Sequence, residues 1–189
     1  MNNSKKSKVE SRKSMWVVLF ALIIVGFGAR LLPHPANFAP IGALALFGGL
    51  YLPRRWSILV PCAAMLLSDA VIGFYNWKIM IAVYASFIIM GLIGLAVRKN
   101  KKFATILGGT LLGSIIFLVL TNAAVWMFGT MYSHNISGLI QSYTMALPFF
   151  KNSLLGDLFY AGIFVGTMET LLYYQKNKIT QSTYGKTTL

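Results

Sequence analysis

Six apolar stretches separated by short polar breaks run along the chain: Met15–Leu32, Phe38–Leu52, Trp56–Phe74, Trp77–Val97, Phe103–Phe128 and Ser153–Tyr174. A hydrocarbon core of roughly 30 Å takes about 20 residues of helix at about 1.5 Å each, so four of the stretches cross it comfortably, the first just suffices and the second falls short. The pattern predicts an all-α membrane protein, a six-transmembrane-helix bundle forming one membrane domain over residues 15–174. A basic arm (1–14) precedes it and a polar tail (175–189) follows.

The basic residues orient this bundle. Lys5, Lys6, Lys8, Arg12 and Lys13 precede the first stretch, Arg54 and Arg55 follow the second, Arg98, Lys99, Lys101 and Lys102 follow the fourth, and Lys176, Lys178 and Lys186 follow the sixth. Of the 17 basic residues only Arg30, Lys78 and Lys151 fall at the alternate ends. The positive-inside rule then predicts a multi-pass protein of the cell membrane with both termini cytoplasmic. The net charge of +13 is thereby a topology signal. Nucleic acid is excluded as a partner, because binding it takes a soluble basic domain and the only hydrophilic segments are the arm and the tail. The lipid bilayer is the expected neighbour, with anionic headgroups drawn to the arm.

With the topology assigned, the polar residues acquire a depth, and most fall at the outer end. Arg30 closes the first span, Asp69 lies near the outer end of the third, Asn122 and Trp126 near the outer end of the fifth, and Asn152 and Asp157 at the outer start of the sixth. A charged side chain at membrane depth costs several kcal/mol unless it is paired or lines a wet cavity, so these residues are expected to face the bundle interior. Helical spacing agrees: Ser114, Leu118, Asn122 and Trp126 share one stripe, Ser153, Asp157, Tyr160 and Phe164 another, and Cys62, Met65, Asp69 and Gly73 a third. The expectation is a polar pocket open to the outside. The alternative is that each polar group merely bonds a neighbouring helix, for about 1 kcal/mol apiece.

Two connections are placed to wall or gate that pocket. The short second span implies either that the loop before it, with Pro33, Pro35 and Pro40 and carrying His34 and Asn37, dips inward, or that the span is an ordinary helix whose ends fray at the interface. The long connection Gly129–Asn152 holds Ile136, Leu139, Ile140, Tyr143, Leu147 and Phe150 in an amphipathic pattern that Pro148 is expected to interrupt, giving a helix at the outer interface or over the mouth. The candidate substrate-binding residues are therefore Arg30, His34, Asn37, Asp69, Asn122, Trp126, Tyr143, Asn152 and Asp157. The outer charges are mixed and favour a zwitterionic or polar neutral ligand.

Small residues at Gly42, Ala43, Ala45, Gly48 and Gly49, with Ala63 and Ala64 in the third span and Ala21, Gly26, Gly28 and Ala29 in the first, allow close helix approach, either inside the monomer or against a partner subunit, for which they are the candidate docking surface. One cysteine, Cys62, excludes an internal disulfide. No His-Glu-x-x-His, Gly-x-Ser-x-Gly or phosphate-cradling glycine loop is present, so no catalytic activity, metal or cofactor is expected. The N-terminal arm and apolar run mimic a signal peptide, but no small-x-small site precedes Arg30 and an uncleaved first span is expected.

The run Arg30–Gly49 (RLLPHPANFAPIGALALFGG), with Leu67–Phe74 (LSDAVIGF), Leu120–Asn122 and Ala146–Asp157 (ALPFFKNSLLGD), resembles a prokaryotic family of six-helix membrane proteins of uncharacterised function. That family is similar to the substrate-binding S components of energy-coupling-factor (ECF) vitamin transporters. The resemblance implies a bundle that captures a small-molecule substrate from outside and hands it to a transmembrane T subunit driven by cytoplasmic ATPases. It also implies gating by the outer loops Leu31–Asn37 and Gly129–Asn152. Many S components carry alanines four apart on the first helix for docking, whereas here Ala21 and Ala29 flank Val25. The competing functions are a structural membrane protein whose polar residues lock helices, a self-sufficient carrier, and an intramembrane enzyme with an Asp69–Asp157 pair.

Overall fold

A computed structural model describes the backbone of residues 3–184 and the side chains of residues 16–174, 176 and 177. The whole basic arm, and Lys178 and Lys186 of the tail, therefore lie outside the described side chains. The described residues form six helices: α1 (Asn3–Leu31), α2 (Ile41–Tyr51), α3 (Arg54–Ile72), α4 (Trp77–Val97), α5 (Phe103–Phe128) and α6 (Ile136–Tyr184). Helices α3 to α6 are long and apolar enough to cross a membrane, while α2 and the described apolar part of α1, Trp16–Leu31, are shorter.

Helix α2 is apolar on every side, so it satisfies its surface only by being surrounded. Every residue from Ile41 to Leu50 is buried. The other five helices wrap it in the order α1, α3, α4, α5, α6, and among the described residues α1 and α6 do not touch along their backbones. Side chains fill that seam: Phe164, Val165 and Met168 of α6 pack on the cluster of Leu19, Leu22, Leu44 and Phe47. Outward-facing Phe20, Ile24, Val71, Ile81, Ile115 and Phe159 leave the rim apolar, as a lipid-facing belt requires.

Small residues of α2 and α3 bring the helices of the chain itself together. A Cβ on Gly49 would collide with the backbone at Gly91, Gly94 and Leu95, so α2 and α4 meet backbone to backbone. Ala64 is fully buried, and a Cβ on Gly26 of α1 would lie 2.9 Å from its Cβ. Pro61 lies inside α3 and has no N–H for the Ser57 carbonyl four residues before it. That oxygen faces glycines instead: a Cβ on Gly91 would lie 3.2 Å from it and one on Gly48 3.3 Å.

Helix α6 differs from the expected pair of elements. The amphipathic segment and the sixth span are one continuous helix of 49 residues, with Pro148 inside it. A proline removes one rung of the hydrogen-bond ladder, whereas ending the helix in an apolar setting would strand several backbone groups. The first part of α6 also does not lie across the bundle mouth. It runs back along α5, held by the Tyr143 hydroxyl on the Val119 carbonyl at 2.9 Å.

Candidate functional site

Eleven residues of α2 rise about 16 Å, roughly half of a hydrocarbon core. Its C-terminus sits at the basic end of the bundle, where Arg98 of α4 donates to the Gly49 carbonyl at 2.8 Å and to the Leu52 carbonyl. Its N-terminus therefore ends deep inside, and the proline loop must descend to meet it. Within that loop Asn37 adopts φ 64°, a left-handed conformation that asparagine tolerates better than most residues.

A buried helix start leaves N–H groups without partners. The Pro40 carbonyl receives the first helical bond, from the Leu44 amide at 2.8 Å. Asp157 of α6 supplies a cap from another helix: its carboxylate accepts from the Ala43 amide and from the Ser114 hydroxyl of α5 at 2.7 Å. Gly42 makes room for it, since a Cβ there would overlap the carboxylate. Opposite charges thus terminate α2 in the sense its dipole favours, Asp157 at the amino end and Arg98 at the carbonyl end.

A second polar cluster joins α1, α3 and α4. Arg30 Nη1 donates to Asp69 Oδ1 at 2.7 Å, to the Ser68 hydroxyl at 2.5 Å and to the Met65 carbonyl at 3.3 Å. The Tyr84 hydroxyl donates to Asp69 Oδ2 at 2.9 Å. Both oxygens of Asp69 are occupied and the residue is 1% exposed, so this pair locks three helices. In the adjacent loop, burial and then the Asp69 carboxylate push the Tyr75 phenol up to about 12, against the Arg30 charge, and it stays a neutral donor.

Between these clusters lies a cavity of about 240 Å³, bounded by Arg30, Asn37, Tyr75, Ser153 and Asp157, with Met65, Phe87, Met90 and Phe117 as its apolar wall. A second cavity of about 280 Å³ abuts it, sharing Asn37, Val83, Phe117 and Ser153 and adding Asn122, Thr121, Tyr132 and the Met145–Phe150 face of α6. A mostly apolar chamber with a few convergent polar groups is the usual form of a small-molecule site.

The candidate residues divide accordingly. Arg30, Asn37, Asn122 and Asp157 line the two cavities. Asp69 does not; it stands behind Arg30. His34 is exposed and its Nδ1 is 2.6 Å from the Leu32 carbonyl. Trp126 donates from Nε1 to the carbonyls of Ser133 at 3.1 Å and Asn135 at 3.2 Å, pinning the connection before α6, and Tyr143 braces α6 on α5. Asn152 donates to the Ala36 carbonyl at 3.1 Å, tying α6 to the proline loop. Sequence reasoning missed Tyr75, Tyr84 and Ser153 as site groups, and Arg98 as a helix cap. Ser153 stood on the stripe of Asp157; Arg98 had no signal beyond its charge.

The fold and cavity define a class: an all-helical, six-helix protein with four helices able to cross a membrane and a semi-polar chamber beside a buried half-length helix. Residues 10–182 match the family of unknown function DUF6580, and the chain belongs to that family. Comparison with curated proteins and with solved structures gave no match.

Proposed function

We propose that the chain is a membrane solute-binding protein that captures a small molecule from outside the cell for uptake. The observation that carries this reading is the pair of abutting cavities, where Asn37, Asn122, Ser153 and Asp157 converge from the proline loop, α5 and α6 on a chamber too apolar to be simply solvent. The clustering of basic residues at the opposite end supports an outward-facing chamber and cytoplasmic termini. Resemblance to the S components of ECF transporters supports hand-off to a T subunit with cytoplasmic ATPases. The chain carries no phosphate-binding loop of its own, so concentrative uptake draws on such a partner or on an ion gradient. The Arg30–Asp69–Tyr84 cluster supports a structural task for Asp69 rather than contact with substrate.

The test is thermal unfolding of the purified chain against a library of small metabolites, alongside a Val83→Phe variant whose ring would fill the space shared by both cavities. At least one compound should raise the unfolding temperature of the native chain and leave the filled variant unmoved. Failure of every compound to do so overturns the solute-binding reading.

A further inference from the structure

The charges around the smaller cavity do not balance, and the imbalance points to a ligand class. The inference rests on the solute-binding reading above. Arg30 and Asp157 are the charged side chains on the cavity wall. Arg30 is already neutralised: its Nη1 sits 2.7 Å from Asp69, which is buried behind it. Asp157 is 7% exposed, and among the described residues it forms no salt bridge. Its partners are a hydroxyl, one amide and the positive end of α2, worth about half a charge.

The nearby cations are placed elsewhere. Lys78 Nζ lies over the rings of Trp77 and Phe128, 5.7 and 5.1 Å from their centroids, and Lys151 is exposed. Lys101 and Arg98 serve the opposite end of the bundle. The chamber therefore faces Asp157, a carboxyl with no counter-ion among the described residues, across a wall of Met65, Met90, Phe87 and Phe117. A carboxylate at membrane depth without a counter-ion is costly, and aromatic faces attract cations. An anion would be repelled there, and a neutral solute would leave the carboxylate uncompensated. A zwitterion would have to share Arg30 with Asp69.

We propose that this cavity takes a monovalent organic cation, an amine or ammonium compound with an apolar body, its charged head on Asp157 and its body against Phe87, Phe117 and Met90. This replaces the zwitterionic or neutral ligand expected from the outer charges taken as a set.

The test uses four probes of nearly one shape: 2-phenylethylamine, 2-phenylethanol, 3-phenylpropionate and phenylalanine, titrated calorimetrically into the full chain in lipid nanodiscs. The amine should bind about tenfold more tightly than the alcohol, as a charge-assisted contact in a dry site allows, and the acid should bind most weakly. Asp157→Asn, which keeps an acceptor for the Ala43 amide, should bring amine and alcohol to equal affinity while alcohol binding persists. Equal or tighter binding of the alcohol, acid or amino acid by the native chain overturns the cation assignment, and this comparison decides the matter should the variant fail to fold. An amine preference that survives in folded Asp157→Asn overturns it as well. If none of the four probes binds while a library compound stabilises the native chain and not Val83→Phe, the cation assignment falls and the solute-binding reading stands. If no compound of any kind binds, both fall.

Discussion

Asp69 and Asp157 look alike in the sequence, each a lone carboxylate in the outer part of an apolar span, yet the fold gives them opposite surroundings. Asp69 has an arginine and a phenol on its two oxygens and lines neither of the two cavities. Asp157 has a hydroxyl and a backbone amide, no cation among the described residues, and a chamber in front of it. A buried carboxylate closed by a counter-ion is tied into the scaffold, whereas one bonded only to neutral groups still lacks a counter-ion. The partner, not the burial, separates the two roles.

The sharpest way to break this comparison is to remove the cation from one side of it. Arg30→Ala should strand Asp69 without its partner and destabilise the protein by about 3–5 kcal/mol, read as a lower unfolding midpoint in detergent, while Arg30→Met combined with Asp69→Leu should recover most of the loss. An Arg30→Ala protein as stable as the native chain would remove the structural reading of Asp69. Next in size, Gly42→Val should drive a side chain into the Asp157 carboxylate, separating it from the start of α2 at about 2–3 kcal/mol. The same substitution at Gly28, around which nothing lies within 4 Å, should have little effect, and a similar loss at both sites would show that the carboxylate is not the reason. Smallest is Asp157→Asn, where the amide oxygen can still accept from Ala43: a loss of about 1 kcal/mol is expected, well below that of Arg30→Ala. Equal losses would erase the distinction.

Much of the fold was legible because apolar length alone sets helix number in a membrane. The predicted stretches Trp77–Val97 and Phe103–Phe128 coincide with α4 and α5, and Phe38–Leu52, read as too short to cross, holds the still shorter α2. Pro148 misled because a proline within a chain reads as a stop in water but as one missing rung where breaking the helix would expose its backbone. The glycines and alanines of α2 announced close approach without naming the neighbour, and the neighbours of its glycines are α3, α4 and, at Gly42, α6. Of the candidate site residues, Arg30, Asn122 and Asp157, read from depth and spacing, and Asn37, read from the proline loop, line the cavities. Arg98 was legible only as a topology charge, because its task depends on α2 ending beside α4, a contact no local pattern encodes. Trp126, Tyr143 and Asn152 share the depth of the cavity residues, but their bonds go to backbone carbonyls in the structure around it.

Pro148 has a mechanical consequence as well. Helix α6 is a rod about 73 Å long by its 49 residues, with one section of reduced stiffness where the Thr144 carbonyl lacks an N–H to close its rung. Met145, Ala146, Phe149 and Phe150, the side chains flanking that section, form a wall of the wider cavity. A missing rung places the rod's compliance there, so this wall of the wider cavity can yield in shape while Asp157, more than two turns further along, keeps its seat on α2.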